Sequence, residues 1–285
     1  MASFDETFNP PDILSKSTPH LSNLVQKSKN NSLEETGKLF LIQAIDKTTN
    51  NIKTFREGPD HLSTYLDFIE NIDMYMSFLR SENNFFSHQS DMISSVIPEL
   101  FCQIFEKKLD ALHVKDIIVS GQADLKIDFQ ILPDPKSPLL FKSKRVDVCV
   151  YKELNMTVHE EDLVIPIPII SIENKVNLDK NMMYGIINTS SSIKKMYPDS
   201  KFYVYTEFSD LQLNKHNFAY SDFDEVYTLR RQKRASYRRS KKANPIHPPL
   251  IVDLLESFEE LIKSNVVEDL TLEEKMKQFG KLINS

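Results

Sequence analysis

Two short apolar runs in this chain carry ionisable side chains where runs of this kind normally carry none. Val146-Asp147-Val148-Cys149-Val150 holds one acid, and Ile169-Ile170-Ser171-Ile172-Glu173-Asn174-Lys175 holds an acid and a base. Apolar residues on both faces mark a central strand covered on both sides. Charges in such a strand are tolerated when they are paired or hold a metal. Residues two apart in an extended chain share a face. Glu173 and Lys175 are therefore expected to project together with Ser171 beside them, while Ile172 and Asn174 point the other way. A chain with these two runs is expected to build a sheet, and the sheet to carry a charged cluster.

The residue types specify a chemistry. An acid followed 26 positions later by Glu-x-Lys is the pattern of a Mg²⁺-dependent phosphodiesterase. Mg²⁺ prefers oxygen ligands and keeps several waters. Asp147, Glu173 and the backbone carbonyl of Asn174 supply oxygens while leaving positions open for a phosphate and a water. A lysine two residues past the glutamate reaches the same point and can stabilise the pentacovalent phosphorus or orient the attacking water. A surface salt bridge on an amphipathic strand would give the same letters. The apolar flanks argue against that plainer origin, as does the stretch after Lys175, a helix-like segment and then another strand.

Composition narrows the field. The 285 residues allow one large domain or two modest ones. No run approaches the length of a membrane span, and Met1-Ala2-Ser3-Phe4-Asp5-Glu6 has neither a basic nor an apolar leader region, so no secretory signal is expected. With five glycines and no GxGxxG or GxxxxGK[ST], nucleotide-cradling loops are excluded. The seven histidines make no zinc spacing. His216-Asn217 resembles the ending of an HNH nuclease, but no paired histidine precedes it. Cys102 and Cys149 are expected to be two free, buried thiols, with a disulfide as the alternative. Net charge is −6, yet residues 230–242 hold eight basic groups and no acid, so the remainder carries 27 basic against 41 acidic groups. One basic segment on an acidic body points to a localised polyanion contact.

Along the chain, residues 1–30 read as an irregular arm. Ser32-Leu33-Glu34-Glu35 reads as a capping box opening a helix to about Asn50. A second helix is expected over about 60–80, with a stripe of Leu62, Tyr65, Leu66, Ile69, Ile72, Asp73 and Met76. Asn83 to Gln89 reads as a polar joint. A third helix covers about 91–109, with Pro98 kinking it or resetting its start. Strands are expected at 115–119 and 125–131 around Gly121, and Pro133, Pro135 and Pro138 force a loop. Further strands are expected at 145–151 and 164–176, the latter pairing only beyond Pro166 and Pro168. Asn177 can cap a helix to about Met196, stopped by Pro198. Strands at 201–206 and 225–229 come next, then a helix from Pro248-Pro249 to about Lys263. The expected organisation is an N-terminal arm and helical region (1–85), an α/β domain around a mixed sheet (86–268), and a C-terminal helical tail (269–285).

This element order, with Asp147 and Glu173-Asn174-Lys175 on adjacent strands, resembles the PD-(D/E)xK nuclease superfamily over roughly residues 86 to 265. One departure is that no proline precedes Asp147. A narrower resemblance, carried by Glu173-Asn174-Lys175-Val176-Asn177-Leu178-Asp179-Lys180-Asn181-Met182 and Tyr227-Thr228-Leu229-Arg230-Arg231, is to type II restriction endonucleases, and among them to two-chain enzymes of the BbvCI kind. The resemblance implies a restriction-endonuclease-like core, Mg²⁺ as cofactor, double-stranded DNA as substrate, and a dimer whose partner can be non-identical, working in bacterial cytoplasm without a membrane. It also implies an extra acidic residue on the helix before the sheet, which Glu99 matches; a solvent-facing glutamate is the plainer origin.

For DNA contact the candidates are Lys180, beside the expected scissile phosphate, and Arg230, Arg231, Lys233, Arg234, Arg238, Arg239, Lys241 and Lys242. Lysine and arginine neutralise phosphates, and one or two of the arginines could reach guanine edges. A solvated loop would have the same composition. Asp179 serves the helix dipole. Asp124 and Asp128 are reserve carboxylates should the strand register differ, and Glu160-Glu161-Asp162 reads as an exposed hairpin end. Two other functions fit the same residues: a repair or recombination nuclease that reads DNA structure, and a non-catalytic DNA-binding protein of the same fold.

Overall fold

The computed structural model describes residues 12–29, 33–82, 91–131, 139–158, 161–211 and 221–267. The 1–11 part of the expected arm, the polar joint, the three-proline loop, His216-Asn217 and the 269–285 tail lie outside them. Residues up to Pro248 form one compact unit, and Pro249 onward another.

The sheet has five strands in the order of the chain: β1 (Ile118–Ile131), β2 (Leu139–Val158), β3 (Glu161–Leu178), β4 (Lys201–Ser209) and β5 (Glu225–Thr228). The first three pair antiparallel, and β4 and β5 add in parallel. The sheet is mixed, as expected. Helices α1 (Pro19–Ser28), α2 (Glu35–Glu57), α3 (Leu62–Glu82), α4 (Asp91–Ser94) and α5 (Val96–Ala111) precede the sheet, and α6 (Lys180–Met196) crosses from β3 to β4. Alternation along β4 assigns the layers. Phe202 and Val204 join a core cluster with Met183, Ile186 and Ile193 of α6, while Tyr205 meets Phe101 of α5, ring centroids 4.4 Å apart. α5 and α6 thus cover opposite faces. Past the sheet, α7 (Arg234–Ser240) falls within the basic run.

Several expectations change. Residues 19–28 are helical, with His20, Leu21, Leu24 and Val25 buried, because an acceptor far along the chain completes the helix start. Ser32 of the expected capping box lies outside the described residues; α2 begins at Glu35 with Glu34 as its N-cap, whose own side chain makes no cap bond. Ser95 divides α4 from α5, placing Pro98 in the first turn of α5, where its missing donor costs nothing. β1 runs unbroken through Gly121, and the next residue, Gln122, takes a left-handed φ of 56°. Pro166 and Pro168 lie inside the β3 ladder, opposite Glu153 and Tyr151. They are two apart, so both missing donors face the same side, and β3 has no β4 neighbour before Ile170. Asn177 is still in β3; Asp179 caps α6, accepting from the amides of Asn181 (2.9 Å) and Met182 (3.0 Å). Cys102 and Cys149 are buried and unpaired.

The second unit holds α8 (Pro249–Val267), which starts on a proline suited to a first helical position. Ile251, Leu254, Phe258 and Ile262 recur along it at spacings of three and four.

The segment before α1 straps across β1. The Gly121 amide donates to the Lys16 carbonyl (2.8 Å), and Gln103 Nε2 donates to the Ser17 carbonyl (2.8 Å). A Cβ on Gly121 would sit 2.6 Å from Pro19 Cγ. Gly121→Ala is expected to lose about 1–3 kcal/mol of stability by overpacking, read from urea unfolding; an unchanged midpoint would mean that the strap yields freely.

Candidate active site

Asp147 and Glu173 meet because of where the β2–β3 ladder ends. Its last pair is Val148 with Ile172, so the next residue on each strand stands opposite the other. From there β3 continues beside β4, with Lys175 level with Thr206. The three side chains converge. Lys175 Nζ lies 2.5 Å from Glu173 Oε1 and 3.9 Å from Asp147 Oδ2. The Asn174 amide donates to Asp147 Oδ2 (2.7 Å), and Asn174 Nδ2 donates to the Ser94 carbonyl (3.1 Å).

Burial raises the pKa of the Asp147 carboxyl, opposed by Lys175 and by the Asn174 amide. Burial also raises that of Glu173, the Asp147 charge raises it further, and Lys175 opposes both effects. Two half-buried carboxylates therefore share one ammonium, an arrangement that favours additional positive charge. Among the described residues no group of three or more His, Cys, Asp and Glu side chains is assembled. The donors that converge are the two carboxylates, hard oxygens that suit Mg²⁺. The buried Asn174 Oδ1 accepts no hydrogen bond. These residues fit a hard divalent cation that completes its shell with water and phosphate.

Asp147 and Lys175 line a cleft of about 200 Å³ together with Asn174, Pro19, Ser94 and Gln122 among others. Gln122 lies between the pairs Gly121–Val148 and Ala123–Val146, hence across from Asp147. Sequence reading missed Gln122, Ser94 and Pro19. A glycine followed by glutamine in a strand was the available signal for a bend.

Glu99 does not join the cluster. It is 3% exposed, and its Oε2 accepts the Leu21 amide at 2.8 Å. It is neither solvent-facing nor a third site acid; it caps α1 from another helix. Burial pushes its carboxyl up to about 8 from 4.5, against the pull of the Leu21 and His20 amides and of Arg56. Its folded pKa is thus above its unfolded one, so this contribution to stability is full below about pH 4.5 and is lost as pH rises through about 8. Relative to Glu99→Gln, the wild type is expected to lose stability between these limits, by at most about 1.4 kcal/mol per pH unit. Urea unfolding of both proteins across this range checks it, and parallel curves would refute it.

Asp124 and Asp128 are also engaged elsewhere. Asp124 pairs with Arg145 (2.8 Å), and Asp128 accepts its neighbour's amide. Asp162, at the hairpin end, accepts from Thr157.

The basic run divides. Arg230 is 2% exposed. Its guanidinium pairs with Glu207 and with Asp73 (2.6 Å) and donates to the Asn244 carbonyl; Arg80 holds the other oxygen of Glu207. Arg230 is thus a core residue and not a DNA contact, because two acids placed in apolar surroundings require a buried cation. Asp73 in the α3 stripe was the signal. Arg231, Lys233, Arg238, Arg239, Lys241 and Lys242 are exposed and Arg234 is half-buried. They are not a loose loop. Tyr237 stacks on Phe208 (5.0 Å), the Asn244 amide donates to Gln232 Oε1 (2.9 Å), and Lys241 ends α7 at a φ of 55°. Lys180 is exposed at the start of α6.

The Bpu10I restriction endonuclease family model matches residues 143–247, a span that takes in Asp147, Glu173, Lys175 and the basic run. No curated protein matches the chain. The solved structure of the native BbvCI A2B2 tetramer matches with a TM-score of 0.64 and 23% identity, covering 88% of this chain and 98% of that one. No helix among the described residues is long and apolar enough to cross a membrane. The sequence match over residues 143–247 is thus to a restriction endonuclease family, and the fold is similar to that of one solved restriction enzyme.

Proposed function

We propose that this chain is a Mg²⁺-dependent subunit that hydrolyses one strand of a specific double-stranded DNA sequence. The observation that carries this reading is the convergence of Lys175 on Glu173 and Asp147, beside a cleft that Asp147 and Lys175 line. Asp147, Glu173 and the Asn174 carbonyl would hold the cation. When bound, Mg²⁺ supplies Lewis-acid stabilisation of the phosphate and an acidified water. Lys175 orients that water and offsets charge on the phosphoryl oxygens as it develops. The Asn174 amide fixes the Asp147 carboxylate, and the Ser94 carbonyl fixes Asn174 in turn.

Lys180, Arg231, Lys233, Arg234, Arg238, Arg239, Lys241 and Lys242 contact the duplex, chiefly at phosphates. Duplex cleavage needs two active sites, so the working enzyme is at least a dimer. A neighbour of similar fold is an A2B2 assembly, which supports pairing with a non-identical chain. Digestion of a sequenced plasmid with and without Mg²⁺, followed by mapping of the ends, tests the reading. Breaks at fixed positions, as nicks by this chain alone or as double-strand cuts with its partner, are the expected result. Breaks scattered without sequence preference, or no metal-dependent breaks under either condition, would overturn it.

A further inference from the structure

The geometry points to the solvent face of α6 as a second DNA-contact surface, centred on Tyr184, Gly185 and Asn188, that meets the duplex at close range. The inference rests on DNA being the substrate and extends that reading to residues outside the basic run. None of the 17 residues of α6 is acidic, on a chain with an excess of acids over bases. Lys180, Asn181, Tyr184, Gly185 and Asn188 are exposed. At 100° per residue the last four fall on one face. Asn181, Asn188 and the Tyr184 hydroxyl offer donors and acceptors without negative charge, and Lys180 lies over the Tyr184 ring at 5.8 Å.

Gly185 is the second observation. A mid-helix glycine lowers helix stability relative to alanine, and a Cβ placed there would meet nothing within 4 Å. No packing among the described residues calls for it. A bare backbone on an exposed helix admits close approach by a partner, and position identifies the partner. α6 leaves the strand that carries Lys175 five residues further on. Its entry is tied to the basic helix as well: the Asp210 amide donates to the Leu178 carbonyl (3.0 Å), and Asp210 Oδ1 accepts the Ala235 amide (3.4 Å). The starts of α6 and α7 therefore flank the carboxyl ends of β3 and β4, beside the cluster. A duplex presenting a phosphate to Lys175 meets both, and a major groove is wide enough to admit a helix.

The test uses the full chain, a fluorescent random-sequence duplex at low salt without Mg²⁺, and the variants Gly185→Ala and Asn188→Asp. Gly185→Ala is expected to raise the urea midpoint, since it improves the helix, and yet to weaken DNA binding by about tenfold, the scale of one lost contact. Asn188→Asp is expected to weaken binding at least as much, by setting a carboxylate against the duplex. If the wild type binds and both variants bind equally well, this inference fails while the functional reading stands. If Gly185→Ala changes the oligomeric state and leaves DNA affinity intact, the face belongs to a subunit contact and the inference is overturned. If the wild type binds no duplex, both readings fall.

Discussion

Arg230→Met is expected to destabilise the fold by about 3–5 kcal/mol, the usual result of removing one partner from a buried ion pair. Arg230 and Glu207 are both nearly inaccessible to solvent, so the loss leaves Glu207 to Arg80 alone and Asp73 without its guanidinium. Methionine fills comparable volume, so lost charge and not a cavity is the cause. Arg230→Lys should rescue little, because one ammonium cannot reach Glu207, Asp73 and the Asn244 carbonyl with the geometry of a guanidinium fork. DNA binding should also fall, since Arg230 opens the segment that ends in α7 and the exposed cations. Arg231→Ala separates the two effects: unfolding unchanged, DNA affinity reduced, and a shallower dependence on salt. Urea midpoints and binding isotherms at several salt concentrations give both readings. An Arg230→Met protein that unfolds like wild type yet loses DNA affinity would return Arg230 to the DNA surface.

Arg230 also shows where sequence reading stops. It and Arg231 are adjacent identical letters; one is sealed in the core and the other is exposed. The difference lies in Asp73 and Glu207, which are remote in sequence, and only the fold brings them together. Glu99 and α1 are alike in this. The helix reads as an irregular arm because its cap comes from a residue 78 positions away. Pro166 and Pro168 mislead because proline rules assume a strand paired on both sides, and that stretch of β3 is not. The Asp147, Glu173 and Lys175 cluster was legible for the opposite reason. Its signal is local: period-two placement, apolar flanks, and charges that such flanks tolerate only when partnered. The strands that carry Asp147, Glu173 and Lys175 and the crossing helix came from the same periodicities, while the two strands expected around Gly121 are one, β1. Gln122 was missed, since the glycine before it signals only a bend and the β1–β2 register alone sets it across from Asp147.

Asp147→Asn is expected to reduce cleavage by at least about a hundredfold while leaving the metal-free protein as stable as wild type or more so. The second half rests on the site's electrostatics. Two carboxylates are crowded beside one ammonium, both with raised pKa values and Glu173 pushed in part by the Asp147 charge. An amide at 147 keeps an oxygen for the Asn174 amide and removes the repulsion. A site of this kind is held at some expense to the fold because function requires it. Added Mg²⁺ completes the test. A ligand present at a hundred times its Kd stabilises the folded state by about 2.7 kcal/mol, so the wild type should gain stability with Mg²⁺ and Asp147→Asn should gain far less. Lys175→Glu should differ in kind. It should abolish cleavage by this subunit, leave DNA binding largely intact because the basic surface is untouched, and destabilise the metal-free protein by placing a third carboxylate in the cluster. If Asp147→Asn unfolds well before wild type and responds to Mg²⁺ as wild type does, Asp147 is a structural acid and the cation is held elsewhere.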